Sequence, residues 1–116
     1  MKIQTVYHWS PTKNREAIFH DGIKIMMSEI EYENPVTGKM EKWKPPYICT
    51  SLDPLMALTY VLPMFDYDPP ELDLWLIELS ENDRVKLRND ETTEIIEARI
   101  LNTVEASRVR YIATRT

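Results

Sequence analysis

The chain has 116 residues, a formal net charge of −5, 2 glycines and 1 cysteine. That length suits one domain over residues 1–116, since two half-sized domains would each lack a self-sufficient core. So little glycine excludes a glycine-rich phosphate loop or dinucleotide fingerprint, a lone Cys49 excludes an intrachain disulfide and any cysteine-cluster metal centre, and the acid excess weighs against a general nucleic-acid binder.

Residues 3–8 predict a short strand, with Ile3, Thr5 and Tyr7 on one face and Gln4, Val6 and His8 on the other. Ser10-Pro11 then opens a helix: serine caps exposed amides, proline fits a first turn, and Thr12 is a rival cap. The helix runs to His20 with Ala17, Ile18 and Phe19 turned inward, and Asp21-Gly22 stops it. Residues 23–27 follow as a short extended segment. Residues 28–46 are the least regular part, with turn signals at Asn34-Pro35 and Thr37-Gly38. Two readings stand there: a small hairpin with Ile30 and Tyr32 facing Met40 and Trp43, or a mobile loop that folds over a pocket.

Residues 47–50 form the third extended segment. Asp53-Pro54 opens a second helix, which Pro63 ends, and residues 66–71 make a loop. The continuous apolar run of residues 73–79 (DLWLIEL) predicts a central strand covered on both faces. Residues 93–101 and 108–114 predict two more strands, with a helical turn at 103–107 between them. The fold class is therefore α+β, with short helices after the first and third extended segments and a mainly β remainder.

Charge is uneven along these elements. Residues 29–73 hold nine acids (Glu29, Glu31, Glu33, Glu41, Asp53, Asp66, Asp68, Glu71, Asp73) against Lys39, Lys42 and Lys44. Residues 83–116 hold seven bases (Arg84, Lys86, Arg88, Arg99, Arg108, Arg110, Arg115) against six acids, so this end could present a local basic face or ordinary surface pairs. No run approaches 18 apolar residues and the amino end lacks a signal peptide's apolar stretch, so a cytoplasmic protein without a membrane partner is expected.

Little of the chain suits a metal: His8 and His20 lie in separate elements, and the acids form no spaced calcium loop. Cys49 sits inside a strand and reads as a small buried side chain. His8, at a strand end beside a helix start, is placed to hold a ligand hydroxyl or phosphate or to pack as an ordinary histidine. Alternation in residues 93–101 puts Glu94 with Ile96, Ala98 and Ile100, so Glu94 faces the interior at the mouth of a cleft. Glu97, with Ile95, Arg99 and Leu101, reads as a solvated neighbour; a one-residue register error would exchange the two.

The segments YHWSPTKNREAIFHDGI, PPYICTSLDPLMALTY, DLWLIEL and TEIIEARILNTVEASRVRYI, in that order, resemble the ADP-ribosyltransferase-like superfamily. That group includes poly- and mono-ADP-ribosyltransferases and, more distantly, RNA 2′-phosphotransferases. This chain would be a minimal member. The resemblance implies a split antiparallel or mixed β-sheet core and a site for NAD as substrate. His8 falls on the histidine that binds the adenosine ribose and Ser10 near the hydroxyl residue that follows it. Tyr47 and Tyr60 match the aromatic residues around nicotinamide, Ser51 lies in the turn between them, and Glu94 matches the catalytic glutamate. Residues 104–108 resemble the short segment before the last strand. Trp9 stands where most such enzymes carry glycine, and no arginine adjoins His8 as a 2′-phosphotransferase would have.

The implied activity is cleavage of the nicotinamide–ribose bond of NAD and transfer of ADP-ribose to a protein or nucleic-acid acceptor. A second reading is an inactive protein of the same fold whose acidic 29–73 surface engages a macromolecular partner, with Trp9, Met40, Trp43, Met64 and Phe65 as anchors. A third is RNA or nucleotide 2′-phosphate transfer. No metal is called for in any of them.

Overall fold

Strand β1 (Thr5–Pro11) pairs antiparallel with β5 (Leu72–Glu78), and β5 pairs antiparallel on its other side with β8 (Val109–Arg115). The apolar run around residue 75 is thus the central strand of a three-stranded sheet, with Leu72, Trp75 and Ile77 all inaccessible to solvent. A second antiparallel sheet has β7 (Ile95–Ile100) between β4 (Ile48–Thr50) and β6 (Val85–Asn89). Helix α1 (Arg15–Asp21) follows β1 and α2 (Pro54–Val61) follows β4. These elements come from a computed structural model, which describes residues 3–25, 31–42, 47–89, 91–92 and 94–116. The chain is an α+β domain of two small antiparallel sheets and two short helices.

One core serves both sheets. Val6, Trp75, Ile77 and Val109 from the first sheet meet Ile48, Ala98 and Ile100 from the second, with Ile18 of α1 and the Ile23–Val104 pair closing the end. The sheets are stitched by backbone: Tyr7 N–H donates to Ser51 O at 2.8 Å and Ser51 N–H to Tyr7 O at 3.0 Å. Beyond that bridge β1 and β4 share no further ladder among the described residues.

Local signals explain several boundaries. Asp53 caps α2 by accepting from the amides of Leu55 (2.8 Å) and Met56 (3.1 Å), with Pro54 in the first turn. Gly22 ends α1 at φ 78°, and a β-carbon there would lie 2.0 Å from the Val104 carbonyl oxygen, so both conformation and space demand glycine. Of the two readings for residues 28–46, the described part is a hairpin: β2 (Glu31–Glu33) pairs with β3 (Met40–Lys42), setting Tyr32 opposite Glu41 and Glu33 opposite Met40. Asn34 accepts from Val36 N–H in its turn. Ile30 and Trp43 lie outside the described residues.

Other expectations are corrected. Ser10 and Pro11 do not open a helix; they finish β1 opposite Asp73 and Leu72, and a 3₁₀ turn (Thr12–Asn14) precedes α1. A seven-residue ladder on a buried strand outweighs a cap worth about 1 kcal/mol. Of the inward α1 residues only Ile18 is buried; Ala17 and Phe19 are exposed, although the Phe19 ring meets Trp75 edge-on at 5.1 Å. The second helix does end ahead of Pro63, at Val61; what the sequence did not suggest is the 3₁₀ turn Leu62–Phe65 that follows it, ended by Asp66 and Tyr67 at positive φ. The turn near 103–107 is a 3₁₀ turn at Ala106–Arg108. Strand β6 went unrecognised because a five-residue edge strand has only Val85 and Leu87 as apolar positions.

A buried acid secures the first sheet. Asp73 accepts two hydrogen bonds from Arg15, at 2.8 Å each, and one each from Thr12 (2.9 Å) and Thr114 (2.7 Å). The Arg15 guanidinium holds its pKa down at about 2, against the opposing pull of burial. Asp83, bonded by Arg108, is likewise held at about 2.

Candidate functional site

Where β1 and β4 part, a cavity of about 660 Å³ opens. Its walls are residues 8–11 of β1, Asn14, Ile18 and Asp21 at α1, residues 47–49 at β4, and Ala57, Val61, Met64 and Phe65 on the α2 side. The volume is that of a small-ligand pocket, mostly apolar with a few polar groups.

His8 is the best-defined of these groups. Its Nδ1–H donates to the Cys49 carbonyl at 2.7 Å, because a carbonyl can only accept. Burial lowers its pKa, with the carbonyl bond pulling the other way, so the ring is neutral at pH 7 and Nε2 is an acceptor. Ser10 is buried, and its Oγ accepts from Asn14 Nδ2 at 3.2 Å. Trp9 alternates to the opposite side of β1 from His8, and its indole N–H donates to the Pro54 carbonyl at 2.9 Å. The bulky ring is thereby tied to the start of α2 and forms one wall of the cavity. Burial first, then the negative charge of Glu97, push the Cys49 thiol up to about 11, which suits a packed cysteine and not a nucleophile.

The two acids exchange their expected roles. Glu94 does not face the interior: it is exposed, one residue ahead of β7. Glu97 is not a solvated neighbour: only 4% of it is accessible. Two features cause the exchange. The β6–β7 register slips between Arg88 and Asn89, skipping Ile96, so alternation does not carry from Ala98 back to Glu94. The face that Glu97 shares with Arg99 is also roofed by side chains.

That roof is a chain of five residues. Glu97 accepts from Arg99 Nε through one carboxylate oxygen and from Arg88 Nη2 through the other, at 3.1 Å. The Arg99 guanidinium lies 4.5 Å from the Tyr47 ring centre, and that of Arg88 lies 5.1 Å from the Tyr60 ring centre. Burial is the largest single influence and disfavours the Arg99 charge, but the Glu97 bond and charge, with smaller help from Tyr47 and Cys49, together outweigh it and the pKa is raised. The β4–β7 ladder ends with Thr50 opposite Ala98, and the next residue, Ser51, bridges to Tyr7 of β1.

The structure therefore groups His8, Ser10 and Tyr47 around one cavity, with Ser51 on the backbone stitch beside it. Tyr60 and Glu94 do not line the cavity; Tyr60 joins the group through Arg88 and Glu97. Arg88 and Arg99 are the residues that sequence reasoning missed. Their only signal was alternation with Glu97 across two paired strands, which needs β6 to be recognised. No group of three His, Cys, Asp or Glu side chains among the described residues could hold a metal ion. No helix among them is long and apolar enough to cross a membrane. No protein-family model matches the chain, and neither a curated protein nor a solved structure does.

Proposed function

We propose that the protein cleaves the nicotinamide–ribose bond of NAD and transfers ADP-ribose to an acceptor, on an ADP-ribosyltransferase-like fold, with Glu97 in the role first given to Glu94. One observation carries the proposal: a neutral His8 with an acceptor nitrogen and the Tyr47 ring line the same cavity, and the buried Glu97 carboxylate is one arginine away from that ring.

His8 Nε2 accepts a hydroxyl of the adenosine ribose, and Ser10 and Asn14 lie on the same wall. Nicotinamide rests on Tyr47, and Arg99 swings off that ring to admit it. The same movement frees a Glu97 oxygen to accept from the nicotinamide ribose and to stabilise positive charge growing on its C1′. The C1′–N bond breaks with its electron pair leaving on nicotinamide. The acceptor's lone pair forms the new bond to C1′, and its proton passes to solvent. Tyr60 and Arg88 position Glu97 and touch no reacting atom.

Titration with NAD, followed by tryptophan fluorescence, tests the cofactor site; Trp9 on the cavity wall makes the signal local. Saturation that His8→Ala abolishes is expected, with nicotinamide release that Glu97→Gln abolishes. Absence of saturation at millimolar NAD would overturn the proposal.

A further inference from the structure

Lys86 and Arg88 are alternate residues of β6, so their side chains leave the same face about 7 Å apart. Across the ladder Lys86 stands opposite Arg99 and Arg88 opposite Glu97. Three cations and one anion therefore share this face, on a chain whose formal charge is −5. Lys86 is exposed and has no ion-pair partner among the described residues, and 41% of the Arg88 side chain is accessible.

Two features single the patch out. Like charges directly opposite each other weaken a sheet, so the Lys86–Arg99 pair opposes the fold that carries it. An anion between the two would turn that repulsion into attraction. The cations are also interleaved with rings, Arg88 on Tyr60 and Arg99 on Tyr47. Guanidinium planes and aromatic rings are the surfaces on which unpaired bases stack, and phosphates at strand-like spacing are what such cations attract. An acidic peptide would satisfy the charges and leave the rings unused.

We infer that this outer face of the second sheet binds single-stranded nucleic acid, with phosphates at Lys86, Arg88 and Arg99 and bases against the Tyr47 and Tyr60 stacks. The inference does not need the NAD proposal, although Tyr47, Tyr60, Arg88 and Arg99 belong to both.

The test is fluorescence anisotropy of short labelled DNA and RNA single strands, titrated with the full chain in the absence of NAD, so a failure of the NAD proposal leaves the result untouched. Saturable binding is expected, with affinity falling as salt rises and a log–log slope of about −2 for three phosphate contacts. Lys86→Glu should weaken binding about tenfold and shrink the slope by about 1. Because Lys86 is exposed and opposed by a like charge, that variant folds, which circular dichroism checks. Tyr60→Ala should weaken the single strand about tenfold and leave polyglutamate binding unchanged. No saturation at low salt, or wild-type affinity in Lys86→Glu, overturns the inference. So does polyglutamate that competes equally while Tyr60→Ala has no effect, an outcome that assigns the face to an acidic protein.

Discussion

Two buried carboxylates, Asp73 on the first sheet and Glu97 on the second, are surrounded differently. Asp73 takes four hydrogen bonds from Arg15, Thr12 and Thr114, and its arginine leans on Tyr111 at 4.8 Å. Glu97 accepts from two arginines, Arg88 and Arg99, each balanced on a tyrosine, beside a cavity. At Arg88 the Nε–H is buried with no acceptor among the described residues. A fully satisfied acid fixes one geometry and serves stability. An acid whose arginine partners are part-exposed and stacked on rings suits the release of a carboxylate oxygen that the proposed reaction needs.

Substitutions should separate the two acids. On turnover, Glu97→Gln is expected to cost about 10³-fold in nicotinamide release, the scale of one lost electrostatic contact to a transition state. Glu94→Gln, at an exposed position, should stay within about twofold of wild type. Equal losses in the two variants would break the comparison. On stability, Arg15→Met should cost about 3 kcal/mol in urea unfolding, because it strands the Asp73 charge in the interior. Glu97→Gln should cost about 1 kcal/mol, since Arg88 keeps a route to water.

Acid sharpens the contrast. The pKa values of Asp73 and Asp83 are depressed in the folded state, so their stabilisation is complete above the ordinary carboxyl range and is lost as pH falls from about 4 toward about 2. Unfolding midpoints measured across that window should fall steeply in the wild type and more gently in Asp83→Asn. The smallest effect belongs to a third acid, the exposed Asp53. Asp53→Ala should lower stability by about 1 kcal/mol through the α2 cap, with no change in NAD binding.

Much of the fold was legible because its signals are local. The apolar run of β5, the Asp53-Pro54 start of α2 and the Gly22 stop of α1 each depend on a few adjacent residues. His8 was singled out in the same way, from its place at the end of a predicted strand, whereas Ser10 and Tyr47 became site candidates only through the family resemblance. Glu97 was not singled out, because its burial is set by Arg88 on another strand, by a register slip at Ile96 and by tyrosines from two further segments. Alternation read along one strand cannot see a roof built from its neighbours. Ser10-Pro11 failed for the same reason, since the pull of β5 on β1 is non-local.

The stitch between Tyr7 and Ser51 is made of peptide groups, not side chains. Any residue but proline can supply those peptide groups, so at the half-buried Tyr7 the stitch does not depend on the side chain, while the inaccessible Ser51 needs only a side chain small enough to fit. The scaffold and the residues that furnish it can therefore evolve at separate rates. New ligands could be tried on the walls without renegotiating how the two sheets meet.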